Sequence, residues 1–186
     1  INAGIDFGFL NNRITGTVDV YQRDTKDLLL YTQNPPFFGF SNFDNYNVGK
    51  IRNRGLEISG TVIPVKNDNF EWTVGGNITF QNSEITALSS DAPEFIGINV
   101  GGYEGGTGNT IQNHQIGYAP FSFYVYEQAY DAAGKPMDGV FIDRNGDGLV
   151  NEKDKYRFHK PAADVFYGFN TSLTYKNWDF AAAFRG

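Results

Sequence analysis

Six segments of the chain alternate apolar and polar residues with a period of two. The clearest alternation is that of Phe70, Trp72, Val74, Gly76, Ile78 and Phe80 with Glu71, Thr73, Gly75, Asn77, Thr79 and Gln81. Because successive side chains of a β-strand point to opposite faces, this pattern predicts strands with one apolar and one polar face. The predicted strands cover residues 2–10, 13–23, 55–64, 70–81, 166–175 and 178–185.

The connections between these strands are alternately short and long. Tight turns are predicted at 11–13, 64–69 and 176–177, and long loops from roughly Thr25 to Val48 and Asn82 to Asp164. Long loops are unusual in a compact domain, but transmembrane β-barrels combine short periplasmic turns with long extracellular loops. The pattern therefore predicts an all-β fold, in which antiparallel up-and-down strands of residues 1–186 form part of a transmembrane β-barrel. Residues 82–163 would form a long extracellular loop region.

A secreted β-sandwich remains the alternative, because burial against a second sheet would also explain an apolar face. Such a module would be calcium-dependent and would bind carbohydrate or act in adhesion. The two interpretations differ in whether Phe70, Trp72 and Val74 face lipid or a protein core. The sandwich accounts poorly for the unequal connections, and no internal period indicates a repeat protein.

Composition and charge exclude several classes of function. Aromatic residues make up 16% of the chain, which suits a pleated surface, and the mean hydropathy is −0.40. The net charge of −6 is the opposite of the basic surface that nucleic-acid binding requires. There is no Cys to act as a nucleophile, and His114 and His159 are expected to be solvated loop residues without metalloprotease spacing. We therefore predict no catalytic residues and no enzyme.

One loop matches the spacing of a calcium-binding motif. Oxygen ligands stand at positions 1, 3 and 5 of residues 143–154, Gly148 supplies the turn at position 6, and an acid closes the loop at position 12. The predicted ligands are Asp143, Asn145, Asp147, the carbonyl of Leu149, Asn151 and Asp154. Asp154 stands where Glu is usual, which makes bidentate ligation less certain. The alternative is that the Asn-Gly and Asp-Gly pairs only form turns. We expect a structural Ca²⁺ ion that orders the loop.

Several stretches, taken in order, resemble the SusC/RagA family of TonB-linked outer-membrane transporters. They are Tyr21 to Leu29, Asn47 to Glu57, Tyr130 to Pro136, Asp143 to Gly148, Phe166 to Asn170 and Tyr175 to Asp179. The resemblance covers essentially the whole chain and matches the later part of the family's barrel. It implies a protein of the outer membrane of Bacteroidota that imports glycan fragments, or in some members peptides.

The same resemblance implies the partners. A SusD-like surface lipoprotein would close over the barrel as a lid, and the TonB complex would supply energy through parts absent from this chain. Membrane lipid would contact the apolar face. We expect the chain to be a fragment of the barrel, without the family's plug domain and its closing strand.

Aromatic residues of the predicted loops are candidate contacts for the substrate or the lid. They could stack on sugar rings, or pack the loops against each other or against the lipoprotein. The candidates are Phe37, Phe38, Phe40, Tyr103, Tyr118 and Tyr124.

Overall fold

The computed structural model describes residues 1–33, 43–88, 97–104 and 109–186, with the backbone alone at 27–33 and 43–48. It contains twelve β-strands within these ranges and one short 3₁₀ turn at Glu152–Asp154. The strands are β1 (Asn2–Phe9), β2 (Ile14–Gln33), β3 (Phe43–Asn67), β4 (Phe70–Leu88), β5 (Ile98–Gly102), β6 (Thr110–His114), β7 (Ser122–Val125), β8 (Gln128–Tyr130), β9 (Pro136–Phe141), β10 (Tyr156–Arg157), β11 (Val165–Tyr175) and β12 (Trp178–Arg185). No helix of the described part is long and apolar enough to cross a membrane.

All six strands predicted from the alternation are present. They form one sheet in the order β1-β2-β3-β4-β11-β12, and β1–β2, β4–β11 and β11–β12 are antiparallel pairs. Tight turns join the strands at one end of the sheet. At the first turn, Leu10, Asn11 and Asn12 all have positive φ, and at the second the side chain of Asn67 accepts the N–H groups of Asn69 and Phe70. The predicted antiparallel arrangement is therefore confirmed.

The register keeps the apolar side chains of neighbouring strands on one face. Phe70 lies opposite Tyr175, Trp72 opposite Leu173, and Leu173 opposite Phe180. Directly opposed residues of an antiparallel pair point to the same side of the sheet. The apolar positions of β4, β11 and β12 therefore form one continuous surface.

This apolar surface is exposed. Ile5 is 70% exposed, Phe180 62% and Phe184 64%. Among the described residues, the only buried apolar side chains are those of Ile85 and Ala129, and neither belongs to the predicted membrane strands. An exposed apolar sheet face with a polar reverse side is what the lipid-facing wall of a barrel requires.

Polar side chains occupy the opposite face. Thr17 of β2 and Ser59 of β3 share a hydrogen bond of 2.8 Å between their hydroxyl oxygens. Asp19, Glu57 and Gln81 line a single depression of the sheet. Gln81 has the same strand parity as Glu71, Thr73 and Asn77, so it shares the polar face that the alternation predicts for β4.

The predicted loop from Thr25 to Val48 is wrong at both ends. β2 continues to Gln33 and β3 begins at Phe43, so the two strands leave only residues 34–42 between them. The apolar alternation stops near Val20 and Leu56 because residues 22–26 of β2 and 52–54 of β3 are polar on both faces. The backbone ladder continues regardless, and the Arg52–Asp24 ion pair joins the strands at 2.6 Å.

The region from 82 to 163 is also more regular than a loop. β4 continues to Leu88, β10-β7-β6-β5 form a four-stranded sheet, and β8-β9 form a hairpin. Residues Asp27–Lys50 and Glu84–Ala162 make up a second compact unit, distinct from the unit formed by the remaining strand segments. The short strands were missed because each has only two to six residues, too few to establish a period.

The membrane face can be tested by placing a charge on it. In the full-length protein, Val74→Arg should reduce barrel assembly, because a cation near the middle of the lipid-facing wall costs roughly 2–4 kcal/mol. The matched control is Asn77→Arg, on the opposite face of the same strand. The measurement is the fraction of heat-modifiable, folded protein in the outer membrane. Equal assembly of the two variants would contradict the assignment of faces.

Candidate functional site

The loop from Asp143 to Asp154 is organised by its own carboxylates. Asp143 accepts the N–H of Gly146 on Oδ1 and that of Gly148 on Oδ2, both at 2.7 Å. Gly146 and Gly148 have φ values of 72° and 83°, which L side chains adopt only with strain. The glycines therefore let the backbone wrap around the Asp143 side chain.

The middle of the loop is also held by hydrogen bonds from backbone N–H groups to side-chain oxygens. Asn145 Oδ1 accepts the N–H of Asp147 at 2.8 Å, and Asp147 Oδ1 accepts that of Leu149 at 2.9 Å. The amide nitrogen of Asn145 donates to Asp147 Oδ2 at 3.1 Å. Each side chain thus bonds to the backbone two residues ahead, as in an Asx turn.

Asp154 closes the loop from its far end and is fully buried. Its Oδ1 accepts the N–H groups of Arg144 (2.9 Å) and Asn145 (3.2 Å), and its Oδ2 accepts that of Asn151 (2.8 Å). Hydrogen bonds from the backbone N–H of Asn151, and then from those of Asn145 and Arg144, lower the pKa of the Asp154 carboxyl below its ordinary value, although burial opposes this. The group therefore stays ionised at neutral pH.

Two basic side chains connect the loop to Tyr126, Glu127 and Tyr156. Arg144 pairs with Glu127 and lies over the ring of Tyr156, 4.5 Å from its centroid. Lys155 pairs with Glu152 at 2.8 Å and lies 5.2 Å from the ring of Tyr126. These contacts fix the loop within the second unit.

The oxygen donors of this loop are of the chemical types that a hard cation prefers. Carboxylate, amide and carbonyl oxygens are the ligands that Ca²⁺ prefers, and all six predicted ligands lie in one wound loop. Within the described ranges, however, no three acidic or His side chains converge as a metal site. The carboxylates are directed instead at backbone N–H groups, which is also the arrangement expected of a simple turn.

The predicted aromatic contacts divide into three groups. Phe37, Phe38 and Phe40 lie outside the described residues. Tyr103 is 51% exposed. Tyr118 and Tyr124 both lie against the guanidinium of Arg157, at 4.3 and 5.0 Å from its central carbon to the ring centroids.

Arg157 connects the two tyrosines to a polar network that the sequence did not reveal. Its Nη2 donates to Asn113 Oδ1 at 2.9 Å, and Asn113 Nδ2 donates to Asn99 Oδ1 at 2.9 Å. Asn113 is fully buried. Tyr118, which is 44% exposed, and Tyr124 both contact this network, and their contact with substrate or lid stays a prediction. No spacing rule could have found a contact between residues 44 positions apart.

The expectation that both histidines are solvated is wrong for His114. It ends β6 and is only 6% exposed, with its ring 4.5 Å from that of Phe121. Burial lowers its pKa, so it is neutral at physiological pH. It serves as a core residue of the four-stranded sheet.

Comparison with known proteins places the whole chain in one family. Residues 1–185 match the family described as TonB dependent receptor-like, beta-barrel. The chain is 42% identical over 185 residues to the TonB-dependent receptor SusC of Bacteroides thetaiotaomicron, covering 99% of this chain and 18% of that protein. It is 28% identical over 197 residues to the TonB-dependent receptor P26 of Formosa agariphila, covering 100% of this chain and 20% of that protein.

Solved structures show the same fold. The RagAB peptide importer in its open-open state aligns with a TM-score of 0.74 and 27% identity, covering 99% of this chain and 19% of that chain. The chain spans about a fifth of the length of these relatives. The comparisons favour the barrel over the β-sandwich, and the family is one of receptors and transporters. This chain belongs to the TonB-dependent receptor β-barrel family of the outer membrane, in its SusC/RagA branch.

Proposed function

We propose that the protein is a TonB-dependent importer of glycan fragments, in which this chain supplies part of the barrel wall and its loop region. The observation that carries the proposal is the 42% identity to SusC along 99% of the chain. An exposed apolar face and a polar reverse face support it, because an importer needs one surface for lipid and another for the solute. Peptides are the alternative substrate class, suggested by the similarity to a peptide importer.

In this proposal the polar face lines the path of the substrate. Glu57, Ser59 and Asn77 offer charged and amide or hydroxyl groups there, and such groups exchange hydrogen bonds with sugar hydroxyls or peptide groups. Tyr103, exposed in the second unit, offers a ring face for stacking. The protein would act by binding and passage, without catalysis of its own.

The proposed partners are those of the family. A SusD-like surface lipoprotein would cover the substrate entrance, and the TonB complex would drive release into the periplasm. The similarity to SusC and to RagAB supports this assignment.

Deletion of the gene tests the import of glycans. We expect the deletion strain to lose growth on one class of oligosaccharide, while growth on the corresponding monosaccharide and on peptides is unchanged. Inactivation of the TonB complex should give the same loss, and an affinity-tagged copy should co-purify a surface lipoprotein from the outer membrane. Growth lost only on peptides would establish the alternative substrate, and unchanged growth on both classes would contradict import.

We further propose that residues 143–154 bind one Ca²⁺ ion. The carboxylates of Asp143, Asp147 and Asp154, the amide oxygen of Asn145 and the Leu149 carbonyl would hold it, with Asn151 directly or through water. The support is the motif spacing together with two glycines of positive φ inside the loop. Bound calcium would supply charge neutralisation and rigidity, and would fix this part of the loop region beside the entrance or the lid.

Calcium titration of the full-length protein tests this proposal. Asp147→Ala should raise the dissociation constant for calcium by about tenfold or more and make the loop easier for protease to cut, because one ligand of a hard cation is lost. Asp138→Ala, an exposed aspartate on β9 outside the loop, is the matched control. Barrel assembly should be unchanged in both. If wild type and Asp147→Ala bind equally little calcium and are cut equally fast, the loop is only a turn.

The hydrogen bonds of Asp154 make a prediction that is independent of metal. Folding lowers the pKa of this carboxyl, so its stabilisation of the loop is present above its ordinary pKa and is lost as the pH falls through the lowered value. Asp154→Asn should reduce the amide-exchange protection of Arg144, Asn145 and Asn151 at neutral pH, since an amide cannot accept on both of its arms. Asp138→Asn, the same change at an exposed aspartate of β9 outside the loop, is the control. Protection that is unchanged in Asp154→Asn would show that other contacts hold the loop.

A further inference from the structure

The apolar face of β2 and β3 ends in a cluster of polar and basic side chains. Beyond Val20 and Leu56, the positions of the same parity are Gln22, Asp24 and Lys26 on β2, and Arg54 and Arg52 on β3. Their contacts run across the two strands. Arg54 Nε donates to Gln22 Oε1 at 3.0 Å, Arg52 Nε donates to Asp24 Oδ1 at 2.6 Å, and Gln22 Nε2 donates to Asp24 Oδ2 at 3.0 Å.

The length of the apolar face sets the level of this cluster in the membrane. Phe70 and Phe80 are ten positions apart on β4, which is ~33 Å along a strand and ~25 Å across the membrane at the usual tilt of a barrel strand. This matches the height of a barrel's apolar band. Leu56 and Phe80 line one shallow depression of that face with Ala3, Val20 and Val165, and Arg54 and Gln22 line it as well. Arg54 therefore lies at the level where acyl chains give way to head groups, and Arg52 lies two residues further along β3.

The orientation of the sheet identifies the leaflet. The tight turns lie beyond Phe9, Asn67 and Tyr175, at the end of the sheet opposite to Arg54. Short turns of bacterial barrels face the periplasm, and longer connections face the cell exterior. The basic cluster thus borders the outer leaflet.

The charges favour an anion. Arg52, Arg54 and Lys26 carry three positive charges against two carboxylates, that of Asp24 in the cluster and that of Asp164, which lines the same depression as Arg54. Arg54 uses Nε on the neutral amide of Gln22 and has no carboxylate hydrogen-bond partner among the described residues. A guanidinium presents its remaining N–H groups as a planar fork, which fits phosphate oxygens in pairs.

We propose that Arg52 and Arg54 bind the phosphate of an outer-leaflet lipid head group, with an acyl chain of the same lipid lying along the apolar depression that ends at Arg54. Arg52 and Arg54 have the strand parity of Leu56 and Ile58 on the apolar face, so a lipid site there goes beyond import. It anchors the barrel wall to the lipid around it. The basic cluster directly adjoins the apolar face, so a lipid can contact both with its phosphate and its acyl chain. A soluble anion would contact the basic cluster alone.

Lipid binding by the full-length, purified protein tests the site. The double variant Arg52→Gln/Arg54→Gln should retain several-fold less phosphorylated glycolipid per barrel than wild type, counted by native mass spectrometry after detergent exchange. Added lipid A should raise the Tm of wild type, and the double variant should lose at least half of that shift. The matched control is Arg23→Gln, which removes one charge from the neighbouring, opposite-facing position of β2 and should behave as wild type.

Further measurements distinguish a lipid phosphate from free inorganic phosphate as the bound anion. Dephosphorylated lipid A should give a smaller shift than lipid A, and inorganic phosphate alone should give none. Arg54→Lys should show an intermediate shift, because it keeps the charge and loses the fork; heat-modifiability confirms that every variant folds. Equal lipid retention and equal shifts in wild type and the double variant would overturn the proposal. An equal response to inorganic phosphate would overturn the lipid assignment in favour of a free anion.

Discussion

The structure depends on the satisfaction of backbone hydrogen bonds in a medium that offers no water. A strand that crosses lipid must pair all of its N–H and C=O groups with neighbouring strands, because each unpaired group costs several kcal/mol there. The ladder of β1-β2-β3-β4-β11-β12 meets this requirement for its four inner strands, while β1 and β12 each have one edge without a partner strand in the described sheet. The side chains are then free to present apolar groups to lipid and polar groups to the interior, so the usual rule of burial is inverted in this unit.

This inversion explains why the chain looks underpacked by the standards of a soluble domain. Ile5, Phe180 and Phe184 remain exposed, and, apart from glycines, the buried residues of the described part lie in the second unit. There, small sheets are held together by polar contacts such as Arg157 between Tyr118 and Tyr124. Cation–π contacts of this type contribute about 0.5–2 kcal/mol each, depending on how far they are desolvated. The two units therefore follow different rules: the first relies on the bilayer as its solvent, and the second on packing and hydrogen bonds of its own.

The two ends of the membrane strands also differ in chemistry. At the turn end, aromatic residues such as Phe70, Tyr175 and Trp178 mark the interface, as is usual for barrel girdles. At the other end, Arg52 and Arg54 follow the last apolar row, beside Gln22 and Asp24 of β2. The backbone pairing is the same at both ends of the membrane strands, and only the side chains differ.

The sequence alone determined the six membrane strands and their faces, because a two-residue period and short turns depend only on residues close together in the chain. It also determined the family, through several stretches in a characteristic order. It did not determine the ends of β2, β3 and β4, since a ladder can continue where both faces are polar and the period disappears. It also specified the ligand spacing of residues 143–154, but not that Asp154 is buried and caps three backbone N–H groups. The contact of Arg157 with Asn113, the burial of His114 and the pairing of β2 with β3 near Arg52 join residues far apart in sequence. Only the tertiary structure could decide them, because they arise from how separate strands are brought side by side.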